Sequence, residues 1–234
     1  MDSIKTTFQL ALGGLLLDPA AFREQRDAPD GFARGALLVA LIGLLVGVAA
    51  WIGNLGVYAT QPDATEFSAT LYDGITSLPL YQNMVAESPE IGIAFEEAFS
   101  QPQDFGVLAA GPAQSFMAIF FTPVFALLGW FLFGSVVHIA ARAFGGAATY
   151  QQTMACTALA SGANLLALVQ IVPYAQVAAT TTLGLIATYV AVRESHQLPA
   201  WPTFWAVALG PTLLLVLLGT FFCCFLLLLV SAVA

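Results

Sequence analysis

The side chains able to do chemistry gather in two short stretches. His138 and Arg142 lie four residues apart, which places them on one face of a helix. Arg193, Glu194 and His196 form the second stretch. Gly145 and Gly146 follow Arg142, and glycine suits the left-handed position that closes a helix. Thr149-Tyr150-Gln151-Gln152 then opens the next helix, with Gln151 placed to cap it or to bond across the hairpin. Two chemistries fit these residues. His138 and Arg142 are either a packing histidine with a headgroup-anchoring arginine, or a small site for an anionic headgroup or a partner carboxylate. Arg142 with Glu194 is an expected ion pair. Enzyme signatures are absent: there is no HExxH, GxSxG, P-loop or GxGxxG. The expectation is therefore no catalytic residue, no metal and no cofactor.

Cys156, Cys223 and Cys224 sit in apolar runs without metal-ligand spacing and read as small hydrophobes. Ser161, Asn164, Gln170, Gln176 and Thr181 are polar residues inside apolar runs. They read as interhelical packing groups, with a solute pathway as the alternative. Gly43 and Gly47 form a GxxxG that reads as close helix packing.

Positioning these groups falls to long apolar helices. The 234 residues are 59% hydrophobic and 9% charged, with a mean hydropathy of +0.85. A soluble domain carries about a quarter charged residues, so the composition is that of a membrane protein. Six Lys and Arg against 14 Asp and Glu give a net charge of -8. This excludes nucleic acid, whose phosphates require clustered cations. Apolar runs extend over Arg34 to Tyr58, Ala113 to Phe144, Gln151 to Val172, Tyr174 to Val192 and Phe204 to Val230. Each matches the roughly 20 residues that cross a bilayer, and backbone satisfaction in lipid demands helices. The expected fold is all-α, a polytopic bundle of five transmembrane helices. Bends are expected at Pro123 and at Gly210-Pro211.

Lys5, Arg23, Arg26 and Arg34 precede the first run, Arg142 ends the second and Arg193 ends the fourth. The positive-inside rule then places the N-terminus in the cytoplasm and the C-terminus outside. Residues 1–33 read as a cytoplasmic amphipathic segment, with Ile4, Phe8, Ala11, Leu12 and Leu15 at helical spacing and Asp18-Pro19 starting a second helix. It either lies in the lipid interface or packs against the bundle. Asp2, Lys5 and Asp18-Pro19 argue against a cleaved signal peptide. Residues 34–58 form the first span. Residues 59–112 form an acidic external loop without Lys or Arg that carries Asp63, Glu66, Asp73, Glu87, Glu90, Glu96, Glu97 and Asp104. A helix is expected from Ser88-Pro89 onward. Residues 113–234 carry the remaining four spans.

Those four spans resemble the Yip1 domain. The resemblance rests on His138 and Arg142 closing a helix, on Gly145-Gly146, on Tyr150-Gln151 opening a helix through Cys156, and on the Arg193-Glu194-Ser195-His196 loop. It covers roughly Gln114 to Leu228 and extends more loosely to the N-terminal segment and first span. Two departures stand out. Ser161-Gly162-Ala163-Asn164 occupies the place of a mid-span proline, and Phe120-Phe121-Thr122-Pro123 lacks the acid of the motif by which eukaryotic members engage small GTPases. The resemblance implies a five-helix integral membrane protein without catalysis. The expected role is a membrane scaffold or a lipid- or protein-interaction module. A small-solute or lipid transporter or channel component is the alternative, on the polar content of the third and fourth runs. Expected partners are membrane lipids and other membrane proteins. The excess of arginine and the missing GTPase motif point to a prokaryotic cytoplasmic membrane.

Overall fold

The structure, a computed structural model, describes residues 2–60, 64–100 and 112–233. Asp63 and Asp104 lie outside the described residues, as do the side chains of Ile4, Lys5, Phe8, Glu66 and Cys223. Every described element is helical. In chain order these are α1 (Asp2–Leu15), α2 (Pro19–Asp27), α3 (Gly31–Thr60), α4 (Ala64–Thr76), α5 (Pro79–Glu87), α6 (Pro89–Ser100), α7 (Pro112–Ala143), α8 (Tyr150–Ala158), a 3-10 segment (Leu159–Ile171), α9 (Thr180–His196) and α10 (Ala200–Val233).

Three stretches among the described residues are long and apolar enough to cross a membrane: Gly31–Thr60, Ser115–Ala143 and Tyr150–Ile171. The outer surface of α7 decides their surroundings. Phe120, Phe121, Phe125, Leu128, Phe131, Leu132 and Ile139 are all exposed along it. A water-soluble monomer does not carry a contiguous apolar face of that size. Lipid accepts it without cost, since hydrocarbon chains are as apolar as leucine. Aromatic residues mark both ends of the bundle. At the start of α10 Trp201 stacks on Phe204, and Trp205 meets both edge-on. At the other end Tyr174 meets the Thr60 hydroxyl at the close of α3. Such rings are enriched where apolar core meets headgroups.

Small residues set the packing of α3. A Cβ added at Gly43 would lie 2.7 Å from the Pro123 Cα, and one at Gly47 would lie 2.9 Å from the Ala118 carbonyl oxygen. The GxxxG therefore lets α3 and α7 touch backbone to backbone, as its spacing predicts. Neither proline breaks its helix: α7 runs through Pro123 and α10 through Pro211. The expected bends are not breaks, because neighbouring helices hold the turn that each proline weakens.

The N-terminal segment packs against the bundle. α1 runs antiparallel to the 3-10 segment, with Gly14 against the Leu159 backbone and Gly162 against the Ala11 backbone. Leu10, Ala11 and Phe22 join Leu38, Ile42, Cys156 and Leu159 in one core cluster. The turn at Leu17 has φ 58°, and the Asp18 side chain then accepts from the Ala20 N–H at 3.0 Å to cap α2.

The third apolar run is only partly α-helical. From Leu159 it is wound as a 13-residue 3-10 helix, far longer than the usual three or four residues. The fourth helix starts at Thr180, later than its apolar run. The Thr180 hydroxyl bonds the Val177 carbonyl at 2.9 Å, a local alternative to helical pairing. In the acidic stretch, α6 begins at Pro89 as expected. α4, α5 and α6 pack chiefly on one another through Tyr72, Tyr81, Phe95 and Phe99.

Candidate functional site

Four helix ends meet at the face that carries Arg23, Arg26, Arg142 and Arg193. Gly145, at φ 89°, closes α7, and the Gly146 N–H donates to the Ala141 carbonyl at 2.9 Å. The Arg142 guanidinium donates to the Gly146 carbonyl at 3.1 Å. The chain then reaches Thr149, whose hydroxyl accepts from the Gln152 N–H while the Gln152 side chain accepts from the Thr149 N–H at 3.0 Å. This is a capping box. Its signal, Thr-x-x-Gln, stands in the sequence one residue away from the expected capper: Gln151 is exposed, and Gln152 closes the box.

Thr153 is the hub of this face, and sequence reasoning missed it. Its hydroxyl lies 2.8 Å from His138 Nδ1, 2.8 Å from His196 Nε2 and 3.1 Å from the Thr149 carbonyl oxygen. A hydroxyl brings one proton and two lone pairs. The carbonyl can only accept, so all three contacts are satisfied when Thr153 donates to it and both imidazoles donate to Thr153. One buried hydroxyl thereby ties α7, α8 and α9 together. The two rings lie 5.3 Å apart, and Tyr150 meets His138 edge-on at 5.4 Å. The Tyr150 hydroxyl reaches Ser135 at 2.9 Å. Deeper in, the Trp130 indole N–H donates to the Met154 carbonyl and to the Thr157 hydroxyl, each at 3.2 Å. Among the described residues, Thr153, Ser135 and Trp130 make cross-helix hydrogen bonds of the kind the sequence assigned to other polar residues.

His196 is 2% exposed, and its Nδ1 has no hydrogen-bond partner. That nitrogen faces Gly146, where a Cβ would overlap the imidazole. In the Nε2–H tautomer Nδ1 is a bare acceptor; protonation would create a buried N–H with no acceptor. His196 lies beyond Val192, where the fourth apolar run ends. Its pKa is pushed down to about 4, first by burial and then by the neighbouring His138 ring and the Arg142 guanidinium. The unfolded chain holds this proton at roughly pH 6.5, so it binds more protons than the folded protein between the two values. Stability from this source is full above about pH 6.5 and falls as pH drops through that value towards 4. Thermal unfolding in detergent should show the protein less stable at pH 5 than at pH 7.5. His196→Asn, less stable throughout, should flatten that difference; an equal difference in the variant would assign it to other groups.

Glu194 does not meet Arg142. It pairs with Arg23 of α2 at 2.7 Å, and Arg26 donates to the Glu194 backbone carbonyl at 2.9 Å. The expected Arg142–Glu194 pair is corrected because α2 lies across the end of α9 and reaches Glu194 first. Arg26 also forms a two-point contact with Asp27, which raises the guanidinium pKa and lowers that of the carboxyl. Arg23 is exposed and screened by water. Arg23→Gln should therefore leave the melting temperature nearly unchanged, and Arg26→Gln should lower it clearly. The reverse order would mean that the exposed pair, not the backbone contact, clamps α2. Gln25 completes the clamp: it is fully buried, and its Nε2 donates to the Gly31 carbonyl at 2.8 Å.

The sequence-selected residues thus divide. His138, Arg142, Gly145, Gly146, Glu194 and His196 gather at one face. Arg193 is exposed beside them. Ser161, Asn164 and Thr181 line an open cavity away from that face. Gln170 brings its backbone against Gly53 of α3, and Gln176 is exposed in the connection before α9. Among the described residues no group of three or more His, Cys, Asp or Glu could hold a metal ion.

Long lipid-facing helices locked at one end by a polar hub and an arginine-rich face define a polytopic helical membrane protein. The Yip1 domain family model matches residues 13–223, and the chain belongs to that family. The match takes in the first span, which the resemblance covered only loosely, and the acidic stretch, which it did not cover. No curated protein and no solved structure matches the chain.

Proposed function

We propose that the chain is a non-catalytic membrane scaffold whose arginine-bearing face docks other membrane proteins or lipid headgroups. Family membership supports a non-catalytic interaction role. The observation that carries the reading is the use of the histidines. Both imidazoles engage Thr153 and hold helices together, so they are structural and the exposed cations around them are left to meet partners. In this reading α9 and α10 join the three apolar stretches as spans four and five. The arginine face is cytoplasmic, the C-terminus lies outside, and the membrane is that of a prokaryotic cell. The arginine distribution supports this topology through the positive-inside rule. α1 rises beside the 3-10 segment instead of lying along the surface.

The test is photocrosslinking in intact cells from single positions. A photoreactive residue at Gln151 or Arg193 should capture a discrete protein or an anionic lipid. The same residue at Leu132, on the lipid-facing side of α7, should capture bulk lipid only. Identical products from all three positions would overturn the docking role.

A further inference from the structure

Two cavities flank α9, away from the arginine face. The first, about 300 Å³, lies among α3, α7, the 3-10 segment and α9, and is lined by Trp130, Ser161, Asn164, Thr181 and Thr188 among others. The second, about 360 Å³, is a nearly wholly apolar groove between α9 and α10, bounded by Ile186, Tyr189, Phe204 and Val207. Leu185 lines both.

We propose that the two form one lipid site, which takes a neutral lipid with a hydroxyl head of the diacylglycerol class. The head occupies the first cavity and an acyl chain the second. The reason lies in where the hydroxyl protons go. Ser161 donates to the Ala158 carbonyl at 2.6 Å, Thr188 to Gly184 at 2.8 Å and Thr180 to Val177 at 2.9 Å. Each uses its single proton on its own segment and turns lone pairs outward. The Trp130 N–H is likewise committed to Met154 and Thr157. These hydroxyls and the indole therefore have no proton left to give, and the hydroxyl oxygens remain acceptors for a donor. Asn164, an exposed residue, adds an amide that makes no hydrogen bond among the described residues and is free both to donate and to accept.

Charge narrows the ligand further. No lining residue of either cavity is charged. A phosphate head would find no cation and a metal ion no anion, and each would carry an uncompensated charge into low dielectric. An alcohol head brings donors without charge. The polar cavity also exists by construction, because two of its walls carry glycine. A Cβ at Gly129 meets nothing within 4 Å, and one at Gly184 meets only the Ala163 Cβ at 4.0 Å.

The experiment reconstitutes the full chain in phosphatidylcholine nanodiscs containing a diacylglycerol with a diazirine on its acyl chain. After irradiation, adducts are mapped by peptide mass spectrometry. Adducts should fall on residues 182–189 and 204–211. Unlabelled dioleoylglycerol should compete and dioleoylphosphatidylglycerol should not. Gly129→Phe fills the cavity from a position with room for it, so it should keep the melting temperature and reduce capture about tenfold, the equivalent of one decade in affinity. Asn164→Leu should weaken capture in the same direction. Equal competition by the phosphatidylglycerol, adducts spread over all lipid-facing helices, or undiminished capture in both variants would overturn the site. Loss of lipid capture leaves crosslinking from Gln151 and Arg193 unaffected, so this site and the docking face fail separately.

Discussion

Thr153→Val should destabilise the protein by about 2–4 kcal/mol, the cost of leaving one buried and one half-buried hydrogen-bonding group without a partner. Valine has nearly the shape of threonine, so packing changes little and the loss reports on the hydroxyl alone. His138 Nδ1 and His196 Nε2 both point at that oxygen at 2.8 Å, and neither has a second partner to turn to. The measurement is thermal or denaturant unfolding of the purified protein in detergent. A double-mutant cycle with His196→Asn should show strong coupling, since once the imidazole is gone the hydroxyl has less to hold. Additive effects would mean that the three residues are neighbours without being a network. Thr153→Ser should restore most of the stability.

Gly146→Val should have a larger effect and prevent assembly of the arginine-bearing end. The added side chain meets the His196 ring, and its Cβ would lie 2.8 Å from the Ala141 carbonyl oxygen, a backbone atom that cannot swing aside. Overpacking costs typically about 1–3 kcal/mol and more where the neighbour is rigid. The cost here adds to displacement of a hydrogen-bonded imidazole. Gly145→Ala is the informative contrast. It faces open space but holds φ 89°, so its cost is conformational, about 1–2 kcal/mol. Expression yield and the melting temperature of the three proteins should rank wild type first, then Gly145→Ala, then Gly146→Val. Equal behaviour of the two glycine variants would mean that the close approach of Gly146 to His196 is not a structural requirement.

How far the sequence foretold this site depends on the kind of signal involved. The helices that cross the membrane were legible because hydropathy needs no partner: a run of apolar residues is apolar wherever it packs. The GxxxG at Gly43 and Gly47 was legible because its spacing is itself a contact surface. His138 with Arg142 stood out through rarity in an apolar background. Thr153 did not, since a threonine in a helix is ordinary and its importance comes from two histidines that approach it from α7 and α9. Glu194 was matched to the wrong arginine for a related reason. Arg142 precedes it at the same end of the bundle, but α2, 168 residues away at Arg26, lies across the end of α9. Long-range arrangement of short helices leaves no trace in local pattern. Gln151 and Gln152 show the smallest such gap: either could cap, and only backbone phase chooses.

The 3-10 winding of Leu159–Ile171 also changes how the third span meets the thickness of a bilayer. A 3-10 helix rises about 2.0 Å per residue and an α-helix about 1.5 Å. Thirteen residues so wound reach roughly 26 Å, where α-helix would reach roughly 20 Å. The 22 residues of Tyr150–Ile171 thus cover a distance that an all-α segment would need about four more residues to cover. Hydrophobic length in this span is set by pitch as well as by residue count. Rewinding it to α would shorten it by about 6 Å, a change of the size that distinguishes thin from thick cellular membranes.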